Sequence, residues 1–186
     1  MSDPAVSSVA HPFQEYVASL FTALGSRDPI EVLREGPAAL RRSISGLSPA
    51  QLATPERDGK WSVLQVVQHL ADSELVGGFR FRMVLAHDTP VLPGYDQDLW
   101  AERLRYTGAD VDAALGDFAT LRRANLRLLE RATPEDRQRV MRHGERGDET
   151  LGKMISMYAG HDLKHLGQIA RIRAAIGAAA HDAARS

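Results

Sequence analysis

A long helical pattern, from about Thr150 to Ile176, limits the possible folds of this chain more than any other stretch. Apolar residues recur through it every three or four positions, which is the spacing of one helical face. These residues are Leu151, Ile155, Tyr158, Ile169, Ile172 and Ile176. The stretch therefore predicts an amphipathic helix whose apolar face lies against the protein core.

Two histidines, His161 and His165, lie four positions apart within this pattern. Residues at this spacing lie one turn apart on the same helical face, and both fall on or beside the apolar stripe. Two neutral imidazoles in a low-dielectric interior need a partner for each ring nitrogen. A divalent metal would bind both rings, whereas the simpler alternative is a pair of hydrogen-bonded core histidines. The pair alone leaves both interpretations open.

Composition excludes several classes of function. The 186 residues are enough for one domain with a sizeable core, and 44% of them are hydrophobic. A formal net charge of -1 gives no global electrostatic case for binding nucleic acid or an acidic membrane. The absence of cysteine excludes disulfides, thiolate metal ligands and a cysteine nucleophile. No apolar run has the length of a membrane span and no signal sequence is recognisable, so we expect a cytoplasmic protein.

Helical patterns and capping signals predict four main helices and no clear strand. The helices lie at about residues 37–47, 62–86, 110–131 and 150–176. Gly36-Pro37 is expected to break a preceding short helix and begin the first main one. Four amphipathic helices of this length predict an all-α fold, a four-helix bundle. The connection between the second and third main helices is long enough for a crossover, which favours an up-up-down-down order.

A third histidine, His69, lies on the apolar side of the second main helix. A lone histidine in such a position is more often a hydrogen-bonded core residue than a metal ligand. Asp72, three positions further on, could hydrogen-bond it or orient a bound water, although a solvated helix face is an equal alternative. Asp162, next to His161, is expected behind the metal ligands or at the surface.

Further polar residues have simpler interpretations. His161 to His165 also resembles the zinc-protease pattern His-Glu-x-x-His, but the acid is the shorter aspartate, which disfavours a peptidase. His143, Glu145 and Arg146 are expected near the mouth of the site without a catalytic role. A basic stripe on the third main helix is interpreted as a solvated face. It consists of Arg122, Arg123, Arg127 and Arg131.

Four short motifs follow one another in a specific order and spacing. They are Trp61-Ser62, His69-Leu70-Ala71-Asp72-Ser73-Glu74, Tyr95-Asp96-Gln97-Asp98 and Gly160-His161-Asp162-Leu163-Lys164-His165-Leu166-Gly167-Gln168-Ile169. Together they resemble the DinB/YfiT-like superfamily, from about Arg27 to Ile176. The resemblance implies a four-helix bundle with an unusual long crossover, commonly a homodimer. We expect one such domain over residues 13–177, with a loose N-terminus over 1–12 and a frayed tail over 178–186.

The resemblance also implies a divalent metal held by three histidines, one from the second helix and two from the last. Carried over to this chain, the ligands are His69, His161 and His165. Three imidazoles suit zinc, nickel or iron better than magnesium or calcium. Three protein ligands leave a coordination position open, as in catalytic zinc sites.

Two classes of function follow from this resemblance, and the sequence identifies no catalytic residue besides the ligands. The first is a metal-dependent enzyme acting on a small molecule. It would be a hydrolase that activates water, or an S-transferase that activates a low-molecular-weight thiol such as bacillithiol or mycothiol. The second is a bundle that binds metal or a small ligand without turnover. We expect no nucleic-acid or membrane partner in either case.

Overall fold

The computed structural model describes the backbone of residues 12–183 and the side chains of residues 14–177. Seven α-helices lie within that range. They are α1 (Pro12–Leu24), α2 (Pro29–Ile44), α3 (Pro49–Ala53), α4 (Val63–Ala86), α5 (Gln97–Arg103), α6 (Val111–Leu129) and α7 (Leu151–Ala183). The loose segment predicted for residues 1–12 lies outside this range except for Pro12, and the backbone of residues 178–183 continues α7. The predicted extent of the domain stays a prediction.

Four long helices, α2, α4, α6 and α7, form the predicted four-helix bundle, and α1 packs on the outside of α7. Around the bundle, α4 contacts both α6 and α7, and α2 contacts the same two helices from the opposite side. The order around the bundle therefore differs from the order along the chain. Within residues 12–183, no helix combines the length and hydropathy needed to cross a membrane.

Two apolar clusters fill the bundle and define the helix directions. Phe81 near the end of α4 shares one cluster with Leu129 at the end of α6, and Val66 near the start of α4 shares the other with Leu115 near the start of α6. Helices α4 and α6 are therefore parallel, and a long connection must join them. The predicted crossover is this connection, residues 87–110. Helices α2 and α7 run the opposite way, so the order is up-down-down-up rather than the expected up-up-down-down.

Helix α2 continues through Pro37, although Gly36-Pro37 was expected to break it. A proline cannot donate to the carbonyl four residues earlier, which leaves that acceptor without a helical partner. Here the carbonyl is that of Leu33, and the Nη1 of Arg122 donates to it at 2.9 Å. A distant side chain therefore supplies the missing donor, and no local sequence signal could indicate it.

A small three-stranded sheet was not predicted. It consists of β1 (Val91–Leu92), β2 (Val140–His143) and β3 (Gly147–Thr150). Strand β2 pairs parallel to β1 and antiparallel to β3. The β2–β3 hairpin replaces the polar loop expected before α7, and Gly147 adopts the positive φ of 76° that its turn requires. The sheet was not predicted because its strands are short and at most half of the residues in each are buried.

Candidate metal centre

Three histidines converge between the two apolar clusters of the bundle. His69 comes from α4, and His161 and His165 come from α7. The Nε2 atoms of His69 and His165 each lie 3.1 Å from the Nε2 of His161. Tetrahedral bonds of about 2.0 Å to a common ion would separate two nitrogens by about 3.3 Å. Both distances fit a common divalent ion, and the possible ligand atoms of the three histidines all lie within 4.8 Å of one another.

All three rings are neutral near pH 7. Burial, together with the neighbouring His165, lowers the pKa of His69 to about 3. Burial also lowers the pKa of His165 to about 4 and places that of His161 well below its usual value. Only a neutral imidazole has the lone pair that a metal ligand needs.

The ring tautomer of His165 follows from its neighbour Gln168. The amide Oε1 of Gln168 lies 2.9 Å from the Nδ1 of His165, and an amide oxygen only accepts hydrogen bonds. The Nδ1 of His165 therefore carries the proton, and its Nε2 presents a lone pair to the other two rings. The Nδ1 atoms of His69 and His161 are buried without a partner in the described part of the chain. This donor set fits a divalent metal, which would bind the three Nε2 atoms at once.

Local sequence features place α4 and α7 so that the rings meet. Ser62 and Gln65 form the predicted capping box at the start of α4, and the ring of Trp61 packs against His69 with 4.9 Å between centroids. On α7, Gly160 faces the backbone of α1, where an added Cβ would lie only 2.2 Å from the carbonyl oxygen of Leu20. Only glycine permits this close approach beside His161.

The two carboxylates expected near the ligands bond to other groups. Asp72 accepts hydrogen bonds from Tyr106 at 2.6 Å and from Gln68 at 3.2 Å. Asp162 accepts from the Nη1 of Arg122 at 2.6 Å. The contact that orients a histidine ring comes instead from Gln168, which the sequence analysis quoted but did not single out. Its position three residues after His165, on the same helical face, was the available signal.

Arg122 is the main correction to the sequence analysis. It was interpreted as part of a solvated stripe, but it is 1% exposed and lies at the centre of the bundle. Its guanidinium pairs with Glu74 at 2.8 Å and with Asp162, the residue next to His161. Since Arg122 also bonds the Leu33 carbonyl, one side chain connects all four bundle helices beside the histidines.

Two adjoining cavities border the histidines, and Tyr16 and Gln97 line both of them. The first, of about 170 Å³, is bordered by His161, Tyr158 and Arg80. His143, Glu145 and Arg146 also border it, as the sequence analysis expected for the mouth of the site. The second, of about 410 Å³, is bordered by His165, Gln168, Lys164 and Arg171. The site therefore has space for a small molecule beside the rings.

A four-helix bundle with three converging histidines is the arrangement that the resemblance to the DinB/YfiT-like superfamily implied, and comparison with known proteins agrees on the family. Residues 33–169 match the DinB superfamily, so the chain belongs to this family and the resemblance in its motifs is confirmed. The protein named "Putative metal-dependent hydrolase YfiT" of Bacillus subtilis is 31% identical over 172 residues, which are 91% of this chain and 97% of that protein. A relative from Oceanobacillus iheyensis, also named a putative metal-dependent hydrolase, is 33% identical over 75% of this chain and 81% of its own length.

A solved structure is similar as well. It is that of YfiT from Bacillus subtilis, described as "a probable metal-dependent hydrolase with an unusual four-helix bundle topology". It superposes with a TM-score of 0.76 at 33% sequence identity, over 80% of this chain and 86% of that one. The bundle prediction is therefore confirmed both by the helices of this chain and by a solved relative.

Proposed function

We propose that this protein is a metal-dependent hydrolase of a small molecule, with His69, His161 and His165 as the ligands of one divalent ion. The observation behind the proposal is the convergence of three neutral rings, in which the Nε2 atoms of His69 and His165 each lie 3.1 Å from the Nε2 of His161. The names of the relatives support it. A bound ion supplies Lewis acidity and activates a water molecule. Three imidazole ligands favour zinc, nickel or iron.

The other side chains of the site position the ligands and the substrate. Gln168 holds His165 in the tautomer whose Nε2 lone pair faces the ion position. Trp61 packs against His69 and limits rotation of its ring. The pair between Arg122 and Asp162 holds the turn of α7 that carries His161. The cavity bordered by His161 gives a substrate access to the reacting position.

A thiol S-transferase is the second candidate, because two adjoining cavities border the site and together offer room for two molecules. His161 borders one cavity and His165 borders the other, so two different molecules could reach the same centre. A transfer between a low-molecular-weight thiol and an electrophile needs two substrates, whereas hydrolysis needs one besides water. The chain has no cysteine, so any reacting thiol must come from another molecule.

The metal content of tag-free protein tests the ligand assignment. Elemental mass spectrometry should find about one zinc, nickel or iron per chain in the wild type, and none in His69→Ala, His161→Ala or His165→Ala. The matched control is His87→Ala, since His87 lies exposed at the end of α4 and should keep the metal. Full occupancy in the three ligand variants would refute the assignment.

Turnover measurements separate the remaining candidates. The loaded protein would be incubated with ester and amide substrates, and separately with an electrophile plus cysteine, bacillithiol or mycothiol. Hydrolysis that is lost in His165→Ala supports the hydrolase. Electrophile consumption that requires a thiol supports the transferase instead. Stoichiometric metal without either reaction would favour the non-catalytic binding bundle.

A homodimer is part of the same proposal, as the family resemblance implies. Leu75 and Phe79 lie one turn apart on α4, and they are 55% and 56% exposed. Large apolar side chains on one exposed face are common at subunit interfaces. Light scattering should give twice the chain mass of 20.4 kDa. A monomer mass at micromolar concentration would contradict the dimer.

A further inference from the structure

Arg80 is a buried cation without an anionic partner. It lies on α4, is 6% exposed, and forms no salt bridge with any carboxylate in the described part of the chain. The other deeply buried arginine, Arg122, has two carboxylate partners. Burial of an unpaired charge is costly, so a protein that retains one usually has a ligand for it.

The contacts of Arg80 within the described residues are all with neutral groups, including the ring of Tyr95, whose centroid lies 6.0 Å from the guanidinium carbon. Its Nη2 donates to the carbonyl of Pro93 at 2.6 Å, and the same nitrogen lies 3.5 Å from the Nε2 of His143. The backbone N–H of Glu145 donates to the Nδ1 of His143 at 3.2 Å, so that nitrogen carries the lone pair. Burial, with Arg146 and Arg80 nearby, lowers the pKa of His143 to about 4. The ring is therefore neutral, and its proton is on Nε2.

Two hydrogen-bond donors consequently face each other without an acceptor between them. The N–H of Arg80 and the N–H of His143 cannot bond one another, and their 3.5 Å separation is long for any hydrogen bond. An oxygen atom with negative charge placed beside both would accept from each. A charge-assisted bond of this kind is stronger than a neutral one.

The two donors border the same cavity as His161. Its volume of about 170 Å³ is close to that of a cavity that admits one benzene ring. Two other charged residues border it. Arg146 is already paired with Glu149 through two contacts of 2.9 Å, and Glu145 is exposed and forms no ion pair with Arg80. Arg80 is therefore the unpaired cation that an anion entering this cavity would contact.

We propose that Arg80 and His143 bind an oxyanion group of the substrate, carboxylate or phosphoryl, in the cavity that His161 borders. The substrate is then a small anionic molecule whose charged end lies at Arg80 and whose reacting bond lies toward the three histidines. The inference rests on the proposed function in calling this molecule a substrate. The binding of the anion itself depends on Arg80 and His143.

Isothermal titration calorimetry with three probes tests the site. Benzoate and phenyl phosphate carry an oxyanion on one ring, and benzamide is the uncharged counterpart of benzoate. At least one anion should bind the wild type, and benzamide should not. Arg80→Gln keeps a donor for Pro93 but removes the charge, and it should weaken anion binding about tenfold or more. The matched control is Arg171→Gln. Arg171 borders the second cavity, so this variant should bind the anions as tightly as the wild type does.

The possible outcomes are distinct. Equal binding by Arg80→Gln would overturn the inference, because an anion held by a metal alone would not need Arg80. Equal binding of benzoate and benzamide, or no binding of either anion, would also overturn it. Metal content is measured on the same samples. Anion binding that requires Arg80 in a protein without metal would support the inference while refuting the proposed function.

A second measurement decides the question if Arg80→Gln does not fold. The wild type, labelled with ¹⁵N, is titrated with the tighter anion, and the side-chain resonances of its histidines are followed. The inference expects the Nε2 resonance of His143 to shift with saturation, while that of the exposed His87 stays unchanged. A constant His143 resonance would overturn it.

Discussion

Replacement of Arg122 by methionine is expected to reduce the stability of the bundle more than any exposed substitution. Among the described residues, Arg122 is the only cation paired with two buried carboxylates, Glu74 and Asp162, which are 2% and 4% exposed, and the change removes it. It also removes the donor for the Leu33 carbonyl, which Pro37 cannot bond. Burial, with the nearby Glu74, raises the pKa of Asp162 even though Arg122 opposes this, so without Arg122 at least one carboxylate should take up a proton.

The size of the effect follows from these contacts. Loss of one partner of a buried ion pair typically costs about 3–5 kcal/mol, because the other partner stays buried and uncompensated. A buried carbonyl left without a donor costs about 1–3 kcal/mol more. The two costs together predict that Arg122→Met loses about 4 kcal/mol or more of its free energy of unfolding. This is a large part of the about 5–15 kcal/mol that is typical of a whole domain.

Urea denaturation followed by circular dichroism at pH 7 measures this loss. The matched control is the triple variant Glu74→Gln, Arg122→Met, Asp162→Asn, which has no buried charge at these positions. It should be more stable than Arg122→Met, because neutral amides do not need a cation. A loss below about 1 kcal/mol in Arg122→Met, or a triple variant no more stable than the single one, would refute the reasoning.

Two further predictions concern the histidines. Gln168→Leu removes the acceptor of the His165 Nδ1–H and should weaken metal affinity about 10–100-fold, whereas Gln168→Glu keeps an acceptor and should preserve the affinity. Competition with a chelator measures both affinities, and equal values for the two variants would contradict the prediction. For the metal-free protein, the free energy of unfolding should decrease as the pH is lowered from about 6.5 to 4. Folded His69 and His165 have pKa values of about 3 and about 4 and stay neutral in this range, whereas the unfolded chain takes up protons on both. The melting temperature of protein stripped of metal with a chelator, compared at pH 7 and pH 5, measures this decrease, and an unchanged melting temperature would be evidence against it.

The ligand candidates could be predicted because their signals are local or carried by motifs. The spacing of His161 and His165 places both on one helical face whatever the rest of the chain does. His69 was found on the apolar side of its helix, but only the family resemblance assigned it as a ligand, since one histidine on an apolar face has many explanations. The structure now brings its Nε2 to 3.1 Å from that of His161. The tautomer of His165 needed coordinates, because a rotamer of Gln168 decides it.

The pairs that join distant segments could not be predicted. Arg80 and His143 lie 63 positions apart, and Arg122 bonds Leu33 from 89 positions away. Nothing in the residues around Arg122 distinguishes it from the other arginines of its helix, because burial of a charged side chain depends on which helix packs over it. The small sheet was missed for a similar reason, since β1 and β2 pair across the whole of α6.

The sequence by itself determined the helical class, the starts of α4, α6 and α7, the bundle and the pair of histidines on α7. These properties depend on periodicity and capping, which act over a few residues. Only the tertiary structure decided the helix directions, the continuation of α2 through Pro37, the burial of Arg122 and the two cavities beside the histidines. Each of these depends on contacts between segments far apart in the chain. Such contacts are set by the packing of the whole bundle rather than by any local pattern.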